Sequence, residues 1–256
     1  MTIVHDHLAE RDARAVLEVR IGAVLAGEGL SILYQPIFEV ASNKILGFES
    51  LARFSALPEQ SPDAWFNGAA EVGLRLDLEM MAIEHALKGL HELPNHVYVA
   101  LNASPETVLR GALESKLRDF PLDRVVLEVT EREAINIHGA ISVAIASLRE
   151  RGMRLAIDDM GASDDSLQHV LNLSPDIIKL DVSLTKGIDN DPARQAMAVS
   201  LVTFARAVGC TVVAEGVETI SELTVLRRLR VHHAQGYFLG KPMPIENAAV
   251  LAQRLT

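Results

Sequence analysis

Residues 31–54, SILYQPIFEVASNKILGFESLARF, decide how this chain folds. Two runs rich in apolar, β-branched and aromatic residues, 31–40 and 45–54, are joined by the polar link Ala41-Ser42-Asn43-Lys44. Such runs read as strands. The link is too short for the helix that a parallel crossover requires, so the two strands are expected to pair as an antiparallel hairpin. Beyond residue 54 the rhythm changes. Short apolar runs at 97–102, 125–130, 154–159, 177–181, 211–216 and 234–239 are mostly separated by helical patterns. That alternation predicts an α/β protein built of βα units on a largely parallel sheet. Eight strands in 256 residues match a (β/α)8 barrel, with an open doubly wound sheet as the alternative.

The helices carry their own punctuation. Asp191 and Pro192 open one that Gly209 closes, and the segment 141–151 ends at Gly152. Residues 1–27 read as a leading helix broken at Gly27-Glu28-Gly29, and 28–256 as the barrel. The stretch 55–67, with Pro58 and Pro62, reads as a long loop over the barrel mouth, anchored by the packing of Trp65 and Phe66.

Composition narrows the classes of function. Hydrophobic residues make up 49% and charged residues 23%, as in globular proteins, and the net charge of -10 disfavours a nonspecific grip on DNA or RNA. One cysteine, Cys210, excludes a disulfide framework and a Cys-rich zinc site and suits a reducing cytoplasm. Cys210 precedes an apolar strand and reads as a buried thiol. No apolar run approaches the ~20 residues of a membrane span, and the N-terminus lacks a secretory pattern. The nine histidines avoid the strand ends and read as surface or core residues. There is no P-loop, dinucleotide fingerprint or Gly-x-Ser-x-Gly elbow.

The informative pattern is where the strands end. Barrel enzymes place their chemistry at the C-terminal ends of strands. Here Glu49, Asn102, Glu128, the pair Asp158 and Asp159, Lys179, Glu215 and Gln235 occupy those positions. Any one acid alone reads equally well as a helix cap or a surface charge; the succession does not. Five converging carboxylates and an amide need cations to stay ionised together. All-oxygen donors select Mg²⁺, Mn²⁺ or Ca²⁺, and the Asp-Asp pair suits two ions, as in phosphoryl hydrolases. Lys179 is placed to orient a water, and Arg53 to meet a phosphate oxygen. A lysine among carboxylates on a barrel also fits Mg²⁺-assisted proton abstraction beside a carboxylate.

At these residues the chain resembles the EAL domain family of cyclic di-GMP phosphodiesterases. The matching motifs run in order: Tyr34-Gln35-Pro36-Ile37, Gly47-Phe48-Glu49-Ser50-Leu51-Ala52-Arg53, Leu101-Asn102-Ala103-Ser104, Leu127-Glu128-Val129-Thr130-Glu131, Asp158-Asp159-Met160-Gly161, Asp176-Ile177-Ile178-Lys179-Leu180-Asp181, Ala214-Glu215-Gly216-Val217-Glu218-Thr219 and Gln235-Gly236-Tyr237. The resemblance implies a modified TIM barrel with an antiparallel first strand and hydrolysis of cyclic di-GMP to linear pGpG. It implies Glu49, Asn102, Glu128, Asp158, Asp159 and Glu215 as ligands of two Mg²⁺ or Mn²⁺ ions, with Ca²⁺ as an inhibitory substitute. Lys179 and Glu215 would act in catalysis, Glu131 would steady the loop after Asp159, and Gln35, Arg53 and Gln235 would contact substrate. It further implies a homodimer through the loop after Asp159 and the helix that follows, and leaves room for a regulatory protein partner.

Two departures from the family pattern stand out. The signature Glu-Ala-Leu is here Glu49-Ser50-Leu51, a change that leaves the ligand in place. The loop Met160-Gly161-Ala162-Ser163-Asp164-Asp165 lacks the second glycine and the aromatic residue usual in the family. Ser163 to Asp165 read foremost as caps of the next helix, with an extra metal-binding role as the alternative. The altered loop also keeps open a second function, that of a weak or inactive domain serving as a cyclic di-GMP receptor or protein-interaction module.

Overall fold

The computed structural model describes residues 2–56, 59–130, 137–161 and 172–255. Eight strands close into a barrel in chain order: β1 Leu30–Glu39, β2 Ile45–Phe54, β3 Tyr98–Asn102, β4 Val125–Thr130, β5 Arg154–Met160, β6 Ile177–Leu180, β7 Thr211–Ala214 and β8 His233–Ala234. The 41–44 link does force a hairpin, with Gln35 opposite Glu49. β1 also runs antiparallel to β8, whereas β2 to β8 are parallel to one another. The architecture is the modified (β/α)8 barrel expected from sequence.

Alternation along the strands sorts the core into layers. Outward-facing Val99, Leu101, Leu127, Leu155 and Ile178 pack under the helices. Inward-facing Ile37, Tyr98, Ala100, Val126, Ala156 and Ile177 fill the barrel below its C-terminal mouth. Tyr98 fits there because its neighbour across the ladder is Gly47; a Cβ at Gly47 would lie 2.5 Å from the tyrosine ring. A third cluster joins the leading helix Thr2–Leu25, through Ile21 and Val24, to Phe54, Trp65 and Leu78.

Three elements differ from the sequence expectation. The stretch 55–67 is not all loop: Ser61 caps a helix Pro62–Glu71 by accepting from the Ala64 N–H, with proline at its first turn. Trp65 is nonetheless a packing anchor, buried and stacked on Phe54 at 5.0 Å. The eighth strand is shorter than 234–239. After Gln235 the chain presses Gly236 against the Val217 backbone, where a Cβ would meet Val217 N at 2.2 Å, and then turns, with Gly240 N–H donating to Gly236 O. The helix expected over 141–151 is two pieces, His138–Ala144 and Ala146–Glu150. The helix Pro192–Val208 is capped as expected, by the Asp191 side chain at one end and left-handed Gly209 at the other. No helix among the described residues is long and apolar enough to cross a membrane.

Candidate active site

Lys179, midway along β6, points into the barrel and is 1% exposed. Its Nζ lies 2.7 Å from Glu128 Oε2, 2.8 Å from Glu215 Oε1, 3.2 Å from Asp158 Oδ2 and 3.5 Å from Glu49 Oε2. The carboxylates arrive from β2, β4, β5 and the end of β7, so barrel closure makes neighbours of residues far apart in sequence. Asn102 Nδ2 donates to Glu49 Oε1 at 3.0 Å, and Gln235 Nε2 donates to Glu49 Oε2 at 2.7 Å and to Gln35 Oε1 at 3.0 Å. Gln35 in turn donates to the Gly240 carbonyl.

The adjacent acids Asp158 and Asp159 need a local device, because neighbours on a strand point to opposite faces. β5 breaks its register with β6 between Ile157 and Met160, and Asp159 takes a left-handed backbone, φ 60°. Aspartate tolerates that conformation better than most residues. The Asp159 N–H donates to Asp158 Oδ1 at 2.9 Å. As a result carboxylate oxygens of Asp158, Asp159 and Glu215 all lie within 4.8 Å of one another.

Charge balance decides what this cluster can hold. Burial disfavours the Lys179 cation, but Asp158, Glu128, Glu215 and Glu49 outweigh it and hold the amine protonated well above its usual range. One cation cannot neutralise the acids around it. Burial pushes the Glu128 carboxyl well up despite Lys179, and burial pushes Glu215 up to about 8 against the same lysine. The donor set is oxygen-rich and carries excess negative charge, which fits hard divalent cations. Glu49, Asn102, Glu128, Asp158, Asp159 and Glu215 are the residues able to hold them.

The cluster opens into a cleft of about 810 Å³ lined by Glu49, Asn102, Glu128, Asp158 and Asp159 together with Arg53 from β2. Arg53 Nη1 donates to the Ala52 carbonyl at 2.8 Å. Thus every sequence-derived candidate among the described residues lies in or beside this cluster. Glu131 lies outside the described residues, as do Ala162 to Asp165, the helix expected after them and hence the dimer contact expected there.

Sequence reasoning passed over Arg75 and Glu79, both lining the cleft from the helix Arg75–Gly89. Glu79 is 5% exposed and accepts from Arg75 Nε at 2.7 Å and from both Ser104 N and Oγ at 2.9 Å. The available signal was an i,i+4 Arg/Glu pair whose acid falls among the helix's buried residues. Ser50, the departure within the signature triplet, donates from Oγ to the Ala100 carbonyl at 2.7 Å, tying β2 to β3 just beyond Glu49.

The EAL domain model matches residues 19–242. The probable cyclic di-GMP phosphodiesterase PdeD of Escherichia coli K12 is 30% identical over 241 residues, which cover 90% of this chain and 44% of that protein. The cyclic di-GMP phosphodiesterase PA2567 of Pseudomonas aeruginosa is 28% identical, over 92% of this chain and 42% of that protein. The chain spans less than half the length of these curated relatives. Among solved structures, the PaMucR phosphodiesterase complex with c-di-GMP superposes with a TM-score of 0.80 at 26% identity, covering 91% of this chain and 99% of that one. Klebsiella pneumoniae BlrP1, in a manganese and cyclic di-GMP complex, superposes with a TM-score of 0.75 at 32% identity, covering 85% of this chain and 57% of that one.

Proposed function

The chain belongs to the EAL domain family, and from that premise we propose that it hydrolyses one phosphodiester bond of cyclic di-GMP to give linear pGpG. The observation that carries this reading is the convergence of Glu49, Glu128, Asp158 and Glu215 on Lys179 beside a cleft large enough for a nucleotide ligand. Two Mg²⁺ or Mn²⁺ ions, held by those acids with Asn102 and Asp159, would supply the positive charge that an anionic ester needs in an acidic site and would acidify a water. Lys179, whose Nζ reaches Glu128, Glu215, Asp158 and Glu49, is placed to orient the water. Arg53 pairs with a phosphate oxygen. Gln235 donates to both Glu49 and Gln35 and so orients Glu49, and the two glutamines would contact the substrate. In the reaction the water oxygen bonds to phosphorus, the bond to the ribose 3′ oxygen breaks, and that oxygen ends with a proton taken from the water.

Incubation with cyclic di-GMP and Mg²⁺, Mn²⁺ or EDTA, followed by chromatography, tests this reading. Metal-dependent pGpG is expected, and its absence with every ion would sink it. The departures in the loop Met160 to Asp165 favour one second reading, a receptor. Binding without turnover would establish that reading in place of the first.

A further inference from the structure

The floor of the cleft serves the reacting phosphate, but its volume of about 810 Å³ suits a whole nucleotide ligand. Part of the remaining lining comes from one face of one helix. Asp63, Phe66 and Asn67 of the helix Pro62–Glu71 all line the cleft. Phe66 and Asn67 stand three and four residues after Asp63, so the three side chains are neighbours on the helix surface. Trp65 and Gly68 lie on the other side and are buried. Trp65 stacks on Phe54 at 5.0 Å, and a Cβ at Gly68 would lie 3.1 Å from Leu17 Cδ1. That packing fixes which face the helix turns to the cleft.

Other charged residues of the lining are already engaged: Arg75 pairs with Glu79 at 2.7 Å, and Asp181 accepts from the Ser183 N–H at 2.9 Å. The side chains of Asp63 and Asn67 are different. Both residues are exposed, and neither side chain makes a hydrogen bond or ion pair among the described residues. Phe66 beside them is half-buried and oriented, edge-on to Phe54 with centroids 5.7 Å apart. A carboxylate accepts only, with two oxygens for two adjacent donors, whereas an amide adds an N–H donor. The Watson–Crick edge of guanine carries N1–H and the 2-amino group as adjacent donors, with O6 as an acceptor next to them. Adenine would turn an acceptor nitrogen toward the carboxylate and an amino group toward the amide donor. An aromatic ring with an acceptor pair and a donor on the same face therefore suits guanine, read along that edge, better than adenine or a phosphate.

We propose that Asp63 is a specificity-determining residue that accepts from N1–H and the 2-amino group of one guanine, with Asn67 donating to O6 and Phe66 against the base. The assignment rests on the cyclic di-GMP reading given above. It is tested by measuring the Kd of cyclic di-GMP and of cyclic di-IMP, which lacks only the two 2-amino groups, in Ca²⁺. The proteins compared are the parent, Asp63→Asn and Asn67→Ala, with turnover of cyclic di-GMP in Mg²⁺ followed alongside. The parent should prefer cyclic di-GMP by roughly 10- to 100-fold. Asp63→Asn should lose most of that preference, chiefly through weaker cyclic di-GMP binding. Asn67→Ala should weaken both nucleotides alike and keep the preference, because O6 is common to both. The preference compares two ligands on one protein, so misfolding, or a role for Asp63 confined to the first turn of its helix, would leave it unchanged in Asp63→Asn. A parent without the preference, a preference that survives in Asp63→Asn, or Asn67→Ala binding both nucleotides as tightly as the parent overturns the assignment. A parent that binds neither nucleotide overturns both the assignment and the reading it rests on. A preference lost in Asp63→Asn, in a protein that never hydrolyses cyclic di-GMP, sinks the catalytic reading and upholds Asp63 as the base reader.

Discussion

Lys179 Nζ sits 2.7 Å from Glu128 Oε2 with the two side chains 1% and 2% exposed, so the centre of the barrel mouth is a sealed ion pair. Its partners Asp158, Glu215 and Glu49 add negative charge that this one amine cannot balance. Such an arrangement is costly for folding alone, because a buried ion pair barely repays its own desolvation. It makes sense as a socket for divalent cations, and the consequences can be measured.

Replacing Lys179 with methionine keeps the bulk and removes the cation. Breaking one partner from a buried pair costs about 3–5 kcal/mol. Urea unfolding in EDTA should show a loss of that size, and turnover in Mg²⁺ should fall about 100-fold or more. A stable and active Lys179→Met protein would show that the lysine is a bystander.

Divalent ions should raise the melting temperature by neutralising the acid excess. At an ion concentration near 100 times Kd the stabilisation is about 2.7 kcal/mol. Asp159→Asn should reduce the Mn²⁺-induced shift, because Asp159 shares the three-carboxylate group with Asp158 and Glu215. An undiminished shift in that variant would remove Asp159 from the ligand set.

His233, on β8, should make stability depend on pH from the other end of the barrel. Burial pushes its pKa from 6.5 to about 4, with His232 and Arg154 pushing the same way and Glu39 opposing them. Its Nδ1 is buried without a hydrogen-bond partner among the described residues. Because the folded pKa is depressed, the folded chain binds fewer protons than the unfolded chain between those two values. The contribution is therefore fully present above about pH 6.5 and is lost as pH falls toward 4, with a ceiling of about 3 kcal/mol. His233→Gln should flatten the stability profile in that window, as measured by urea unfolding from pH 4 to 7. An unaltered slope would locate the proton uptake elsewhere.

Gly47→Ala should cost about 1–3 kcal/mol through overpacking, since the new methyl would lie 2.5 Å from the Tyr98 ring. Tyr98→Leu in the same chain should return part of that loss. Additive losses in the double variant would show that the two sites do not meet.

Much of the fold was legible because its signals are local. The 41–44 link excludes a crossover helix by length alone, and Asp191-Pro192 and Gly209 end their helix by backbone preference. The helix at Pro62–Glu71 was equally local, with Ser61 and Pro62 as a cap and first turn, but the surrounding prolines and the sparse apolar pattern favoured a loop. The end of β8 was not local. Gly236 leaves the strand because the Val217 backbone comes within reach, a contact between segments that meet only in the closed barrel.

The candidate site divides in the same way. The order of strands and the acids, amides and lysine at their ends follow from the sequence, because period-two alternation and strand termini are written in neighbouring residues. That Lys179 faces Glu49, Glu128, Asp158 and Glu215 at once is decided by closure of the barrel. Asp158 and Asp159 should point apart by alternation; the left-handed backbone at Asp159 and the register break with β6 bring them to one side. Glu79, on the helix Arg75–Gly89, is held at the cleft by Ser104, two residues past the end of β3. Local propensity sets which residues stand at strand ends, while through-space packing sets which of them touch.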